Sequence, residues 1–351
     1  MRIPYRIAFL LFIALFIPLA RAFAQDAIQL PKSHLLTIPK YEYQSWNNCG
    51  PATLTNALSF YGYMDKQARA AAWLKPNYED KNVSPWQMID FVNTQIPELP
   101  IYAINRVGGT ITLLKTLIAN NFPVIIEEGY DPPPHDLGWM GHYLLLTGYD
   151  DSAGVFISQD SYIGPNTHYT YDHVDEFWRH FNRTYIVVYR KDREADVTAL
   201  LGGDADPHQN TINALQAARQ EAVANPNDPF AWFNMGTNFV ALGMFPEAAT
   251  AYDQARNVGG GLPWRMLWYE FGPYEAYLAV GRYDDVIKLA QATLNDGGGQ
   301  YVEETFYYAG LAREGLGDNS RAVLNLNTAL QFNPNFSPAR DALSKLTTTN
   351  G

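Results

Sequence analysis

The sequence predicts an α+β domain, with helices ahead of an antiparallel sheet, followed by an all-α domain of helical repeats. Three observations carry this. Apolar residues fall at helical spacing in segments between Pro51 and Ile118, and short β-branched runs replace them after Pro123. Beyond residue 210, a register of glycine, alanine and aromatic residues recurs three times. With 351 residues, 47% of them hydrophobic, the chain is long enough to give each of two domains its own core.

Taken in order, residues 1–24 read as a secretory signal peptide. Arg2 and Arg6 make a basic start, Ile7 to Leu19 an apolar run, and Ala22-Phe23-Ala24 an A-x-A cleavage signature. The run falls short of the roughly twenty residues a membrane span needs, and Arg21 closes it. The expectation is export to the periplasm, cell envelope or exterior.

The first domain is expected over 25–192. Leu54, Ala57, Leu58 and Tyr61 share a helix face behind Pro51, a residue suited to a first turn, which puts Cys49 at a helix N-terminus. Ser84-Pro85 opens a second helix through Val92, and Thr110 caps a third through Ile118. Val124–Ile126, His142–Thr147, Val155–Ser158 and Tyr185–Tyr189 read as strands. Gly148–Gly154 reads as a hairpin connection, which brings His142 and Asp160 to the same end of adjacent strands.

Residues 193–209 are polar, contain Gly202-Gly203 and Pro207, and read as a linker. From 210 to 351 the pattern is helical. Trp232, Gly236, Phe239, Gly243, Ala248, Tyr252 and Ala255 form one repeat; Tyr274, Tyr277, Gly281, Val286, Ala290 and Thr293 a second; Phe306, Gly310, Gly317, Ala322, Leu326, Ala329 and Pro334 a third. The turn glycines Gly243, Gly281 and Gly317 stand 38 and 36 residues apart, near the roughly 34-residue tetratricopeptide period. This half resembles tetratricopeptide repeats, with the loop from Gly259 to Trp264 widening the second spacing.

A net charge of -11, from 36 acidic against 25 basic residues, argues against a nucleic-acid surface. Peptides and proteins are the expected partners. The chain holds a single cysteine, Cys49, which cannot form an internal disulfide and is therefore either an inert core residue or a thiol kept for reactivity. Its neighbours favour reactivity. Unpaired N–H groups and the dipole at a helix N-terminus stabilise a thiolate. The Cys49 N–H can face a developing oxyanion, Gln44 offers a neutral amide donor five residues upstream, and Gly50 would let substrate backbone approach. Of the seven histidines, His142 begins a strand where a facing helix can present a thiol, and Asp160 is placed to hold its tautomer.

The run Gln44-x4-Cys49-Gly50-Pro51-Ala52, then Pro123-Val124-Ile125, Gly141-His142-Tyr143, Thr147-Gly148-Tyr149-Asp150 and Asp160, resembles the bacteriocin-leader-processing, or double-glycine, cysteine peptidases. The resemblance spans about Gln44 to Tyr189 and includes Glu176-Phe177-Trp178 as a late aromatic helix. It implies a papain-like fold with Cys49 as nucleophile, His142 as base, Asp160 as its orienter and Gln44 as oxyanion donor. Asn48 stands where many members carry Asp, and Ser161 where Pro is common.

The expected function is therefore an exported thiol peptidase whose repeats recruit a substrate protein or a membrane-associated partner. A non-catalytic scaffold and a cysteine amidase or acyl transferase are the alternatives. No cofactor is expected, and no metal, since His168 and His173 with Asp160 or Asp172 have no diagnostic ligand spacing. Glu127, Glu128, Asp131 and Asp136 have two readings, selection of basic peptides or a solvated rim, of which the rim is preferred, with Tyr130 and Trp139 lining a substrate groove.

Overall fold

A computed structural model describes residues 30–131 and 137–348. The expected signal peptide and residues His135 and Asp136 lie outside them. The first half places β1 (Ser33–Leu35), α1 (Cys49–Ser59), α2 (Gln67–Leu74), α3 (Pro85–Asp90), β2 (Ile101–Arg106) and α4 (Ile111–Ala119) ahead of the remaining sheet. The strands β3 (Val124–Tyr130), β4 (Met140–Asp150), β5 (Val155–Asp160) and β6 (Gly164–Thr170) follow, then α5 (Tyr171–Trp178) and β7 (Tyr185–Arg190). All pairings are antiparallel, in the order β2-β7-β3-β4-β5-β6, with β1 added against the far end of β4.

Both faces of this sheet are covered, which explains the unbroken apolar run Tyr143–Leu146 in β4. Tyr143 and Leu145 pack with Ile125, Ile186 and the Leu54 and Leu58 side chains of α1. Leu144 and Leu146 pack on the opposite face with Ile126, Val187, Leu114 and Trp178. Each fully buried leucine contributes about 1.5–3 kcal/mol. Glu127 and Glu128, read as a solvated rim, instead sit within β3 and are buried. They are inside because β3 lies between β7 and β4 and under helices on both faces.

In this half β1, α2, β2 and the edge strand β6 were not anticipated. The stretch 193–209, expected as a linker, holds α6 (Glu194–Leu201), whose Val197 and Leu201 join the sheet's core, and the start of the next helix. The described residues from 31 onward accordingly form one compact unit.

The second half is all helical: α7 (Pro207–Ala224), α8 (Pro229–Ala241), α9 (Phe245–Asn257), α10 (Gly272–Ala279), α11 (Tyr283–Asn295), α12 (Glu303–Gly315), α13 (Asn319–Phe332) and α14 (Ser337–Thr348). The turn glycines Gly243, Gly281 and Gly317 have φ of 71°, 75° and 77°, a backbone state that other residues enter at a cost. Gly236 serves a different need. A Cβ there would lie 2.6 Å from the Tyr252 ring, so its absence lets α8 and α9 close on each other.

The repeats dock directly on the first domain. Asn210 of α7 accepts from Val107 N at 3.0 Å and donates to Val107 O at 2.8 Å. Asn182 and Asn238 exchange amide hydrogen bonds at 2.9 and 3.2 Å. Asn333 donates to Leu74 O at 3.2 Å and to Glu303 Oε1 at 2.7 Å. Among the described residues no helix is long and apolar enough to cross a membrane.

Candidate active site

Cys49 is the first residue of α1, entered through a turn in which Asn47 takes φ 53°. Its N–H is one of the first-turn donors that the helix itself cannot satisfy. Gln67 of α2 fixes this turn: its Oε1 accepts from Ser45 N at 2.9 Å and from Asn48 Nδ2 at 3.0 Å, and its Nε2 donates to Tyr43 O at 2.7 Å. Asn48 is thus used as a donor.

His142 lies near the start of β4 and Asp160 ends β5, and the hairpin between them brings the two together. His142 Nε2 donates to Asp160 Oδ1 at 3.0 Å. Nδ1 is the nitrogen left for the thiol. Both residues are buried, with His142 3% and Asp160 0% exposed. Burial alone would lower the imidazolium, but the charge and hydrogen bond of Asp160, with the Cys49 sulfur adding to them, raise His142 to about 10. Burial opposes ionisation of Asp160 too. It is overcome by the imidazolium, the Tyr169 hydroxyl and the Tyr162 N–H at 2.7 Å, which bring the carboxyl down to about 2. The Tyr130 ring stacks on His142, centroids 4.7 Å apart.

Gln44 reaches the same cleft. Its N donates to Ser161 O at 2.8 Å, and its Oε1 accepts from Ser161 Oγ at 2.9 Å. With the amide oxygen held by Ser161, the Nε2 hydrogens are left to face the cleft. Ser161 therefore has a positioning role that proline could not fill.

Gly50 does not open space for substrate. A Cβ there would lie 3.1 Å from Val83 Cβ and 3.6 Å from the Tyr143 ring, so the glycine serves packing of α1 on β4. Trp139 is likewise not a groove residue: it stacks on Phe181 at 5.8 Å, donates to His180 Nδ1 at 3.1 Å and meets Tyr269 edge-on. Glu128, opposite His142 across the β3–β4 ladder, is fully buried, and that burial pushes it up to about 8.

The cleft of about 410 Å³ is lined by Gln44, Cys49, Tyr130, His142 and Tyr162 from the first domain. Its other wall comes from the repeats: Arg265, Trp268 and Tyr269, from the loop between α9 and α10, complete it. Arg265 donates to Leu137 O at 2.6 Å and to Trp139 O at 3.2 Å, tying that loop to the segment that leads into β4. Nothing local in the sequence signals this contact. The widened spacing at Gly259–Trp264 is the one mark it leaves. No group of His, Cys, Asp and Glu suited to a metal ion occurs among the described residues.

Residues 35–191 match the model of the Peptidase_C39 like family. Among solved structures, a protein described as a C39-like peptidase from Bacillus anthracis is 13% identical and has a TM-score of 0.36, over 45% of this chain and 98% of that one. A structure described as MamA RS-1 ArsTM double mutant is 15% identical with a TM-score of 0.35, over 45% of this chain and 84% of that one. No curated protein matches the chain. The sheet domain over residues 35–191 is a papain-like domain of the Peptidase_C39 like family, joined here to an all-α helical-repeat domain.

Proposed function

We propose that the chain is a thiol peptidase acting through Cys49, His142, Asp160 and Gln44. The observation that carries this reading is the buried His142–Asp160 hydrogen bond, set beside the lone cysteine at the first turn of α1. Cys49 Sγ attacks the peptide carbonyl carbon, forming a C–S bond. The oxyanion is held by the Cys49 N–H and Gln44 Nε2. His142 gives its Nδ1 proton to the leaving nitrogen as the C–N bond breaks. It then takes a proton from water, whose oxygen attacks the thioester and releases the acid and the thiolate.

Export, with removal of residues 1–24, belongs to the same proposal, as does recruitment of a protein partner by the repeats. Incubation of the intact chain with a peptide mixture, read by mass spectrometry, tests the activity. New termini should form with the wild type and vanish with Cys49→Ala and His142→Ala. Peptide acyl fragments recovered on an added amine in place of the free acid would instead indicate an acyl transferase, and no reaction of either kind would indicate a scaffold. N-terminal sequencing of the secreted protein tests the cleavage after Ala24.

A further inference from the structure

Tyr269 walls the catalytic cleft on one side and a second, larger cavity on the other. This cavity, of about 940 Å³, runs between the sheet domain and the inner face of the repeats. Four carboxyl side chains line it: Glu127 from β3, Glu270 and Glu275 at and before α10, and Glu304 from α12. None of its described lining residues is Lys, Arg or His. Among the described residues none of the four carboxylates forms an ion pair.

Glu304 carries the argument further. It is 3% exposed, its Oε1 accepts from Asn82 Nδ2 at 3.2 Å, and its Oε2 has no hydrogen-bond partner. An uncompensated carboxyl in such a place is costly. Glu275 takes the Tyr308 hydroxyl at 2.8 Å and lies within electrostatic reach of Glu270, which in turn acts on Glu127. Burial pushes Glu270 up to about 8, and Glu127 and Glu304 well above the usual carboxyl range. The rings of Trp86, Tyr307 and Tyr308 complete the lining.

Acidic groups without a cation, set beside the exposed Trp86 ring and the half-buried Tyr307 ring, match one ligand chemistry: an aliphatic stem ending in a positive charge. We propose that this cavity binds a peptide segment bearing a lysine or arginine side chain, with the cationic head among Glu270, Glu275 and Glu304 and the stem against the aromatic rings. The volume suits a side chain with its flanking backbone. Binding here does not require a reactive Cys49. That the bound segment continues past Tyr269 into the cleft, as part of a substrate, rests on the peptidase reading.

The test uses the full chain carrying Cys49→Ala, so that no peptide is consumed, and fluorescently labelled Ala-Ala-Lys-Ala-Ala, its norleucine counterpart and its glutamate counterpart. Anisotropy titration should show the lysine peptide binding about tenfold or more tightly than norleucine, with glutamate weakest. Glu270→Gln with Glu275→Gln, which keeps side-chain shape, should abolish that preference, and Glu304→Gln alone should reduce it. Equal affinity for lysine and norleucine, or absence of binding, would overturn the proposal. So would a lysine preference that survives the double substitution, since it would then belong to the acidic surface at large. None of these outcomes touches Cys49 reactivity, so the peptidase reading would stand or fall separately.

Discussion

Replacing Asp160 by Asn removes the charge that holds His142 protonated and leaves a near-isosteric side chain in place. His142 is raised from 6.5 to about 10 against a burial effect that acts the other way. A displacement of three to four pKa units corresponds to on the order of 4–5 kcal/mol between the two protonation states. Loss of one partner of a buried ion pair costs about 3–5 kcal/mol, a similar size. With the carboxylate gone, burial is unopposed, and the His142 midpoint should fall below 6.5. The folded value of His142 lies above its unfolded value, so its stabilisation is full below 6.5 and is lost as pH rises through about 10. The folded value of Asp160 lies below its unfolded value, so its share is full above 3.8 and is lost as pH falls through about 2. The stability gap between wild type and Asp160→Asn should therefore be widest from 3.8 to 6.5 and close towards pH 10. Proton NMR titration of His142 and urea unfolding at several pH values read both effects. A His142 midpoint that stays near 10 in the variant, or a gap that is flat from pH 5 to 10, would refute the reasoning.

Gln44→Ala should lower kcat by about 10²–10³ through loss of one oxyanion donor, while alkylation of Cys49 proceeds at the wild-type rate; a parallel fall in alkylation would mean that Gln44 acts on the thiol. Ser161→Ala leaves Gln44 Oε1 without its donor and should cost about 1 kcal/mol of stability, with a smaller loss of kcat than Gln44→Ala; steady-state kinetics of the two variants separate positioning from direct contact. Gly141→Ala puts a Cβ 2.9 Å from the Tyr269 ring and 3.0 Å from the Phe181 ring, and overpacking of this kind costs about 1–3 kcal/mol. An unfolding midpoint equal to wild type would show that the repeat loop does not press on β4.

The parts of the site that were legible in the sequence are those set by local geometry. Cys49 and Gln44 lie on either side of one helix entry, and one hairpin joins the strands of His142 and Asp160. Residues that act from other elements left no such mark. Gln67 sits in a short alanine-rich helix and Ser161 in a turn, and neither type signals a role before its partner is placed. Arg265, Trp268 and Tyr269 reach the cleft only because the repeats fold back on the sheet. Strand β6, Gly164–Thr170, is polar and largely exposed along an edge, so it lacks the apolar alternation that marked its neighbours. Glu127 and Glu128 show the opposite failure: charge suggested a solvated rim, whereas sheet topology put both inside. In the repeats the turn glycines were readable because a left-handed turn needs them, while α14 follows a proline that had read as the end of the last unit.

The central claim is that His142 makes Cys49 a nucleophile, and the rate of Cys49 alkylation by iodoacetamide at pH 6 tests it directly. Cys49 is the chain's one cysteine, so labelling followed by intact mass is unambiguous. The wild type should react about tenfold or more faster than His142→Ala, because the buried imidazolium stabilises the thiolate beside it. Equal rates in the two proteins, or a wild-type thiol that does not react, would contradict the account.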